Sequence, residues 1–125
     1  MKDGKHVILC IDDDTDILEA LKLILENKGD YIFVSAPSAE DGIKAFKKHE
    51  PDLIIVDLMM EEVDAGTSFT REIKALGNKA PVYMLSSVGN ELHQSIDASE
   101  LGLAGIFQKP IQADTLLNTI KAKLG

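Results

Sequence analysis

Short apolar runs alternate with longer amphipathic stretches along the whole chain. The runs are Val7–Ile11, Tyr31–Val34, Leu53–Val56, Val82–Leu85 and Ala104–Phe107, the last of them containing Gly105. Three of the runs are rich in β-branched residues and unbroken by polar ones, the pattern of strands buried on both faces. Spacings of about 20 to 25 residues suit a crossover helix between successive strands. The intervening stretches carry the helical period. Asp14–Lys28 places Ile17, Leu21, Ile24 and Leu25 on one face, and Gly29 follows as a stop signal. Ser38 is placed to cap a segment bearing Ile43 and Phe46, with Glu40 and Asp41 suited to the positive helix start. Phe69, Ile73 and Leu76 fall at i, i+4 and i+7 before Gly77, and Leu117, Ile120 and Leu124 repeat the stripe near the end. A weaker stretch, Asn90–Glu100, has Leu92 and Ile96 as its only large apolar residues and is read as a further helix.

Five β-α units of this kind predict an α/β fold, a parallel sheet with helices packed on both faces. With 125 residues, the chain is expected to form one domain over residues 1–125. Hydrophobic residues at 45% and charged residues at 27% place it among soluble globular proteins. The net charge of −8 disfavours phosphate backbones and anionic lipid, so no direct nucleic-acid or membrane binding is expected. The single cysteine, Cys10, excludes an internal disulfide and reads as a small buried hydrophobe. No apolar run approaches the ~20 residues needed to span a bilayer, and no signal-peptide pattern follows Met1, so a cytoplasmic location is expected.

In folds of this class the ligand site lies beyond the carboxyl ends of the strands. The first run is followed by Asp12-Asp13-Asp14, the third by Asp57, the fourth by Ser86-Ser87 and the fifth by Gln108 and then Lys109-Pro110. Each group has an ordinary reading. Asp14 or Asp16 suits a helix cap, the serines suit another, and Lys-Pro is a common loop pair. Together they gather carboxylates, a hydroxyl and an ammonium on one rim. Crowded carboxylates repel unless a cation compensates, and Mg2+ suits a partly hydrated site of one or two carboxylates plus a phosphate. One aspartate can then attack phosphorus, with Lys109 and Ser86 stabilising the transferring oxygens. Asp57 stands alone after its strand and is the natural nucleophile, whereas Asp12 and Asp13 are suited to holding the ion.

The segments Ile8–Asp14, Pro51–Met60, Pro81–Ser87 and Lys109-Pro110 resemble a response-regulator receiver domain, the phosphoacceptor module of two-component signalling, over essentially the whole chain. The resemblance implies a flavodoxin-like (βα)5 three-layer sandwich with strand order 2-1-3-4-5. It implies phosphorylation of Asp57, with Asp13 and Asp57 as direct Mg2+ ligands, Asp12 as an outer one and Met59 contributing its backbone carbonyl. Ser86 matches the switch hydroxyl and Lys109 the phosphate-pairing lysine. The expected partners are a sensor histidine kinase or a histidine phosphotransfer protein, with an unidentified effector downstream and a phosphorylation-dependent homodimer. Such a protein is a signalling module and not an enzyme, although it takes part in its own phosphoryl transfer. The sequence departs from the family at Glu61 after Met60, at Asp64-Ala65-Gly66, and at Ile106, where an aromatic residue is usual and Phe107 lies one place on. None of His6, His49 or His93 follows an apolar run, so each is expected on the solvated surface.

A rival of another class is a small aspartate-nucleophile phosphatase of the haloacid-dehalogenase type. Asp12-Asp13-Asp14-Thr15 offers its Asp-x-Asp pair, with Asp12 as nucleophile, but Asp16 stands where Thr or Val is expected. A calcium loop on Asp12, Asp14 and Asp16 lacks its glycine at Ile17. A flavin site lacks a phosphate-binding loop after the first strand.

Overall fold

The computed structural model describes residues 4–57, 65–87 and 103–124. The apolar runs form β1 (Val7–Ile11), β2 (Ile32–Ala36), β3 (Leu53–Asp57), β4 (Val82–Ser87) and β5 (Leu103–Lys109). They pair in parallel in the order β2-β1-β3-β4-β5, the flavodoxin-like arrangement. The described helices are α1 (Thr15–Leu23), α2 (Ala39–His49), α3 (Ala65–Ala75) and α4 (Ala113–Leu124). The helix expected over Asn90–Glu100 lies outside the described residues.

Period-2 alternation divides the sheet's side chains between two apolar layers. Leu9, Ile11, Ile54, Val56, Val82 and Met84 meet Ile43 of α2 and Phe69 and Ile73 of α3. On the other face, Ile8, Cys10, Leu53, Ile55, Tyr83, Leu85 and Phe107 meet Leu18 and Leu21 of α1 and Leu116 and Ile120 of α4. β1 and β3 are buried at every position, as their unbroken apolar runs require, whereas the edge strands β2 and β5 are partly exposed. Cys10 lies wholly buried in mid-β1. Burial, with the nearby Asp12 adding to it, pushes its thiol pKa far up, so it is an inert core residue.

Several helix boundaries differ from the sequence reading. Asp14 is the N-cap of α1, its carboxylate accepting the Asp16 N–H at 2.9 Å. The helix then widens into a π turn over Ile24–Lys28 instead of continuing unchanged. Gly29 does not stop it through a left-handed backbone: its φ is −108°, and the left-handed residue is Asp30 at 56°. What fixes glycine there is space, since a Cβ would lie 2.6 Å from Leu117 Cδ2 and 2.7 Å from Tyr31 Cδ2. Ser38 caps α2 as expected, accepting the Asp41 N–H at 3.1 Å. In α3 the expected stripe holds for Phe69 and Ile73, but Leu76 is 48% exposed because the helix has already ended. Ile73→Val is therefore expected to cost about 1 kcal/mol, and Leu76→Ala no more than about 0.5 kcal/mol, in urea unfolding with unchanged slope. In α4 the buried row is Leu116 and Ile120, with Leu117 and Leu124 half-buried at its margin.

An irregularity at the start of β5 decides which way its far end faces. Val82 pairs with Leu103 but Tyr83 pairs with Gly105, so Ala104 is an extra residue in the ladder. Leu103 packs against the α2–α3 layer, whereas Phe107, an even number of residues later, sits in the α1–α4 layer. Strict alternation would have kept both on one side. The bulge thereby turns Phe107, and with it Lys109, onto the α1–α4 face.

Candidate functional site

The rows Ile8–Cys10 of β1 and Leu53–Ile55 of β3 belong to the α1–α4 layer, and continuing each by two residues reaches Asp12 and Asp57. Lys109 extends the row of Phe107 in the same way. Three strands thus deliver two carboxylates and an ammonium to one face at the carboxyl end of the sheet. Lys109 Nζ lies 3.2 Å from Asp12 Oδ2 and 3.5 Å from Asp57 Oδ2. Asp12 and Asp57 are 0% and 3% exposed, while Asp13 faces solvent. One carboxylate oxygen from each of Asp12, Asp13 and Asp57 falls within 4.8 Å of the others.

Local hydrogen bonds fix Asp12. Its N–H donates to the Ala36 carbonyl at 3.2 Å, and its Oδ1 accepts the Asp14 N–H at 2.9 Å. Its Oδ2 is buried and faces the Lys109 ammonium, its partner in an ion pair. Burial works against the charge on Lys109, but Asp12 and then Asp57 outweigh it and hold the ammonium pKa above the usual lysine range. Even so, among the described residues Lys109 brings one positive charge to Asp12 and Asp57, and Asp13 adds a third carboxylate to the group, so negative charge is in excess. An all-oxygen donor set of this kind, with one carboxylate exposed and two buried, fits a hard divalent cation such as Mg2+.

Ser86 is buried near the end of β4, one residue beyond Leu85, which pairs with Asp57. Its register partner is Gln108, and by alternation it continues the row of Val82 and Met84, so it approaches the rim from the α2–α3 side. Met59 lies outside the described residues, as do Glu61, Asp64 and His93. Ile106 is 37% exposed, whereas Phe107 is buried with its ring centroid 5.0 Å from that of Tyr83. His6 departs from the expected solvated surface. Its Nδ1 is buried without a hydrogen bond, 3.8 Å from Asp52 Oδ2. The sequence reading missed Ala104 as the residue that orients Lys109. The available signal was Gly105, since a glycine inside a strand pattern often marks a bulge.

The rival sites find less support. Asp12 has one oxygen on the Asp14 N–H and the other against Lys109, poor freedom for a nucleophile. Asp14 is committed to capping α1 and is not aimed with Asp12 and Asp16 at a calcium ion.

Residues 8–121 match the response regulator receiver domain family. The chain is 33% identical over 119 residues to the chemotaxis protein CheY of Bacillus subtilis, covering 95% of this chain and 98% of that protein. It is 32% identical over 113 residues to the transcriptional regulatory protein GlrR of Escherichia coli, covering 90% of this chain but 25% of the regulator. Among solved structures, a CheY-like response regulator receiver domain protein from Methanospirillum hungatei superposes with a TM-score of 0.85 at 28% identity, covering 97% of this chain and 94% of the other.

Proposed function

Since the chain belongs to the response regulator receiver domain family, we propose that residues 1–125 act as one receiver whose Asp57 accepts a phosphoryl group from a sensor histidine kinase or a histidine phosphotransfer protein. The observation that carries this reading is the placement of Lys109 Nζ within 3.5 Å of carboxylates from two separate strand ends. An Asp57 carboxylate oxygen attacks phosphorus, the P–N bond to the donor histidine breaks, and the imidazole departs with its electron pair. Asp13 and Asp57 would hold Mg2+ directly, with Asp12 as an outer ligand and the Met59 carbonyl completing the set. When bound, Mg2+ neutralises the carboxylates and the transferring oxygens.

A phosphoryl group on Asp57 carries up to about two negative charges beside Lys109 in place of the carboxylate's single one. The ammonium, now shared between Asp12 and Asp57, is drawn to the phosphoryl oxygens, and Ser86 supplies a hydroxyl donor. Movement of these two strand ends shifts a two-state surface that the effector reads. The module works in the cytoplasm, without direct nucleic-acid or membrane contact, and phosphorylation favours a homodimer. Among the described residues no helix is long and apolar enough to cross a membrane.

Incubation with Mg2+ and acetyl phosphate is expected to raise the intact mass by one base-labile phosphoryl group. An unchanged mass, with metal binding demonstrated, would overturn the reading. Mg2+ at a hundred times its Kd is expected to stabilise the fold by about 2.7 kcal/mol. Asp13→Ala, which removes an exposed ligand without disturbing the core, should abolish most of that gain in urea titrations with and without the ion.

A further inference from the structure

Two registers of β5 satisfy its apolar pattern, and they send Lys109 to opposite faces of the sheet. In the structure Val82 pairs with Leu103, Ala104 is passed over, and Tyr83 then pairs with Gly105 and Leu85 with Phe107. A ladder that did not pass over Ala104 would set Tyr83 opposite Ala104 and Leu85 opposite Ile106. A slip of one residue moves every later side chain to the other face. Ile106 would then enter the α1–α4 layer in place of Phe107, and Lys109 would emerge on the α2–α3 side, away from Asp12 and Asp57. Burial of aliphatic surface does not exclude that arrangement, since Ile106 is exposed as the strand stands and the slip would cover it.

The aromatic side chains are what differ between the two registers. The ring of Tyr83 lies over Gly105, where a Cβ would stand 3.0 Å from its Cε1 and 3.2 Å from its Cδ1, inside ordinary carbon–carbon contact. In the slipped ladder Ala104 takes that place and brings the Cβ that Gly105 lacks. The same ring meets Phe107 along the diagonal of the ladder, with centroids 5.0 Å apart and planes inclined at 31°. Diagonal neighbours on one face are within reach of aromatic side chains, and this separation is that of an attractive ring pair. Slipping β5 forfeits the pair and replaces it with an isoleucine. We propose that Tyr83 is a positioning residue for phosphoryl transfer: seated on Gly105 and against Phe107, its ring holds β5 in the register that delivers Lys109 to Asp12 and Asp57. It acts through Lys109, which follows Phe107 on the same face of the strand. The consequence for transfer rests on the reading of Asp57 as the acceptor, whereas the register does not.

The test combines phosphoryl uptake from acetyl phosphate and Mg2+ with cross-strand NOEs in the metal-free protein. Tyr83→Leu keeps an apolar side chain without the ring and is expected to slow uptake at least about threefold, the scale of one lost aromatic pair. NOEs from Leu85 to Ile106 should appear beside those to Phe107, while Mg2+ affinity does not weaken, because Asp13 and Asp57 do not move with β5. Tyr83→Phe keeps the ring and should match the parent in every respect. Gly105→Ala sets a Cβ under an intact ring and should give the same second set of NOEs, which keeps the test open if Tyr83→Leu fails to fold. Deleting Ala104 from Tyr83→Leu removes the residue that permits two registers, so uptake should return. A ring that only filled space would leave that protein as slow as Tyr83→Leu. Parental uptake with Leu85–Phe107 NOEs alone in Tyr83→Leu, or no recovery on deleting Ala104, would each overturn the proposal. If the parent itself takes up no phosphoryl group, the role of Asp57 fails, and the NOEs of the variants still decide the register.

Discussion

Asp57→Asn leaves a folded protein that takes up no phosphoryl group from acetyl phosphate. The substitution keeps the shape of a side chain that is 3% exposed at the end of β3 while removing its nucleophilic carboxylate. An amide oxygen does not yield a stable acyl phosphate, so the base-labile mass increment should vanish and not merely shrink. Neutralising Asp57 also removes one of two carboxylates near Lys109, leaving the Asp12 contact at 3.2 Å to hold the ammonium. The fold should therefore survive, as far-UV circular dichroism and a cooperative urea transition will show. Asp12→Asn is the informative companion. It should lower uptake through weaker metal binding, whereas the aspartate-nucleophile phosphatase alternative demands that it, and not Asp57→Asn, abolish reaction. Uptake that persists in Asp57→Asn at the parental level would remove Asp57 from its assigned role.

Lys109→Met is expected to destabilise the metal-free protein by about 3–5 kcal/mol, the range for removing one partner from a buried charge pair. Methionine keeps the length and apolar stem, so the loss reports the charge. Without the ammonium, the fully buried Asp12 loses the cation 3.2 Å from its Oδ2, and Asp57 loses the one 3.5 Å from its own. Two further measurements separate this from a packing defect. Mg2+ should recover a large part of the loss, because a cation among the carboxylates replaces the missing charge. The double variant Asp12→Asn with Lys109→Met should be more stable than Lys109→Met alone, a coupling that independent sites would not show. A cost of no more than about 1 kcal/mol in metal-free buffer, the scale of an exposed pair, would mean that Lys109 is not holding the carboxylates together.

Much of this was legible from the sequence because burial on both faces leaves an unmistakable mark. The runs of β1 and β3 hold no polar residue, and their interior strands are buried throughout. The rule that places ligands at carboxyl strand ends then selected Asp12, Asp13, Asp57 and Lys109, which the structure brings together. The strand ends themselves were read short. Asp57, Ser86 and Lys109 lie within β3, β4 and β5, not after them, because the hydrogen-bonded ladder continues under polar side chains that interrupt an apolar run. The bulge at Ala104, the π turn at Ile24–Lys28 and the role of Gly29 were hidden for a related reason. Each depends on which neighbour comes close across the fold, such as Leu117 against Gly29, and periodicity along one segment carries no record of that approach. The role given to Met59 rests on resemblance alone.

Because Cys10 is the chain's only thiol and sits sealed in the middle of β1, it doubles as a built-in reporter of how often the molecule opens. A maleimide added to the native protein can react only in the rare moments when β1 is laid bare. The labelling rate therefore counts global excursions, and any ligand that holds the native state together will slow that clock without touching the sulfur.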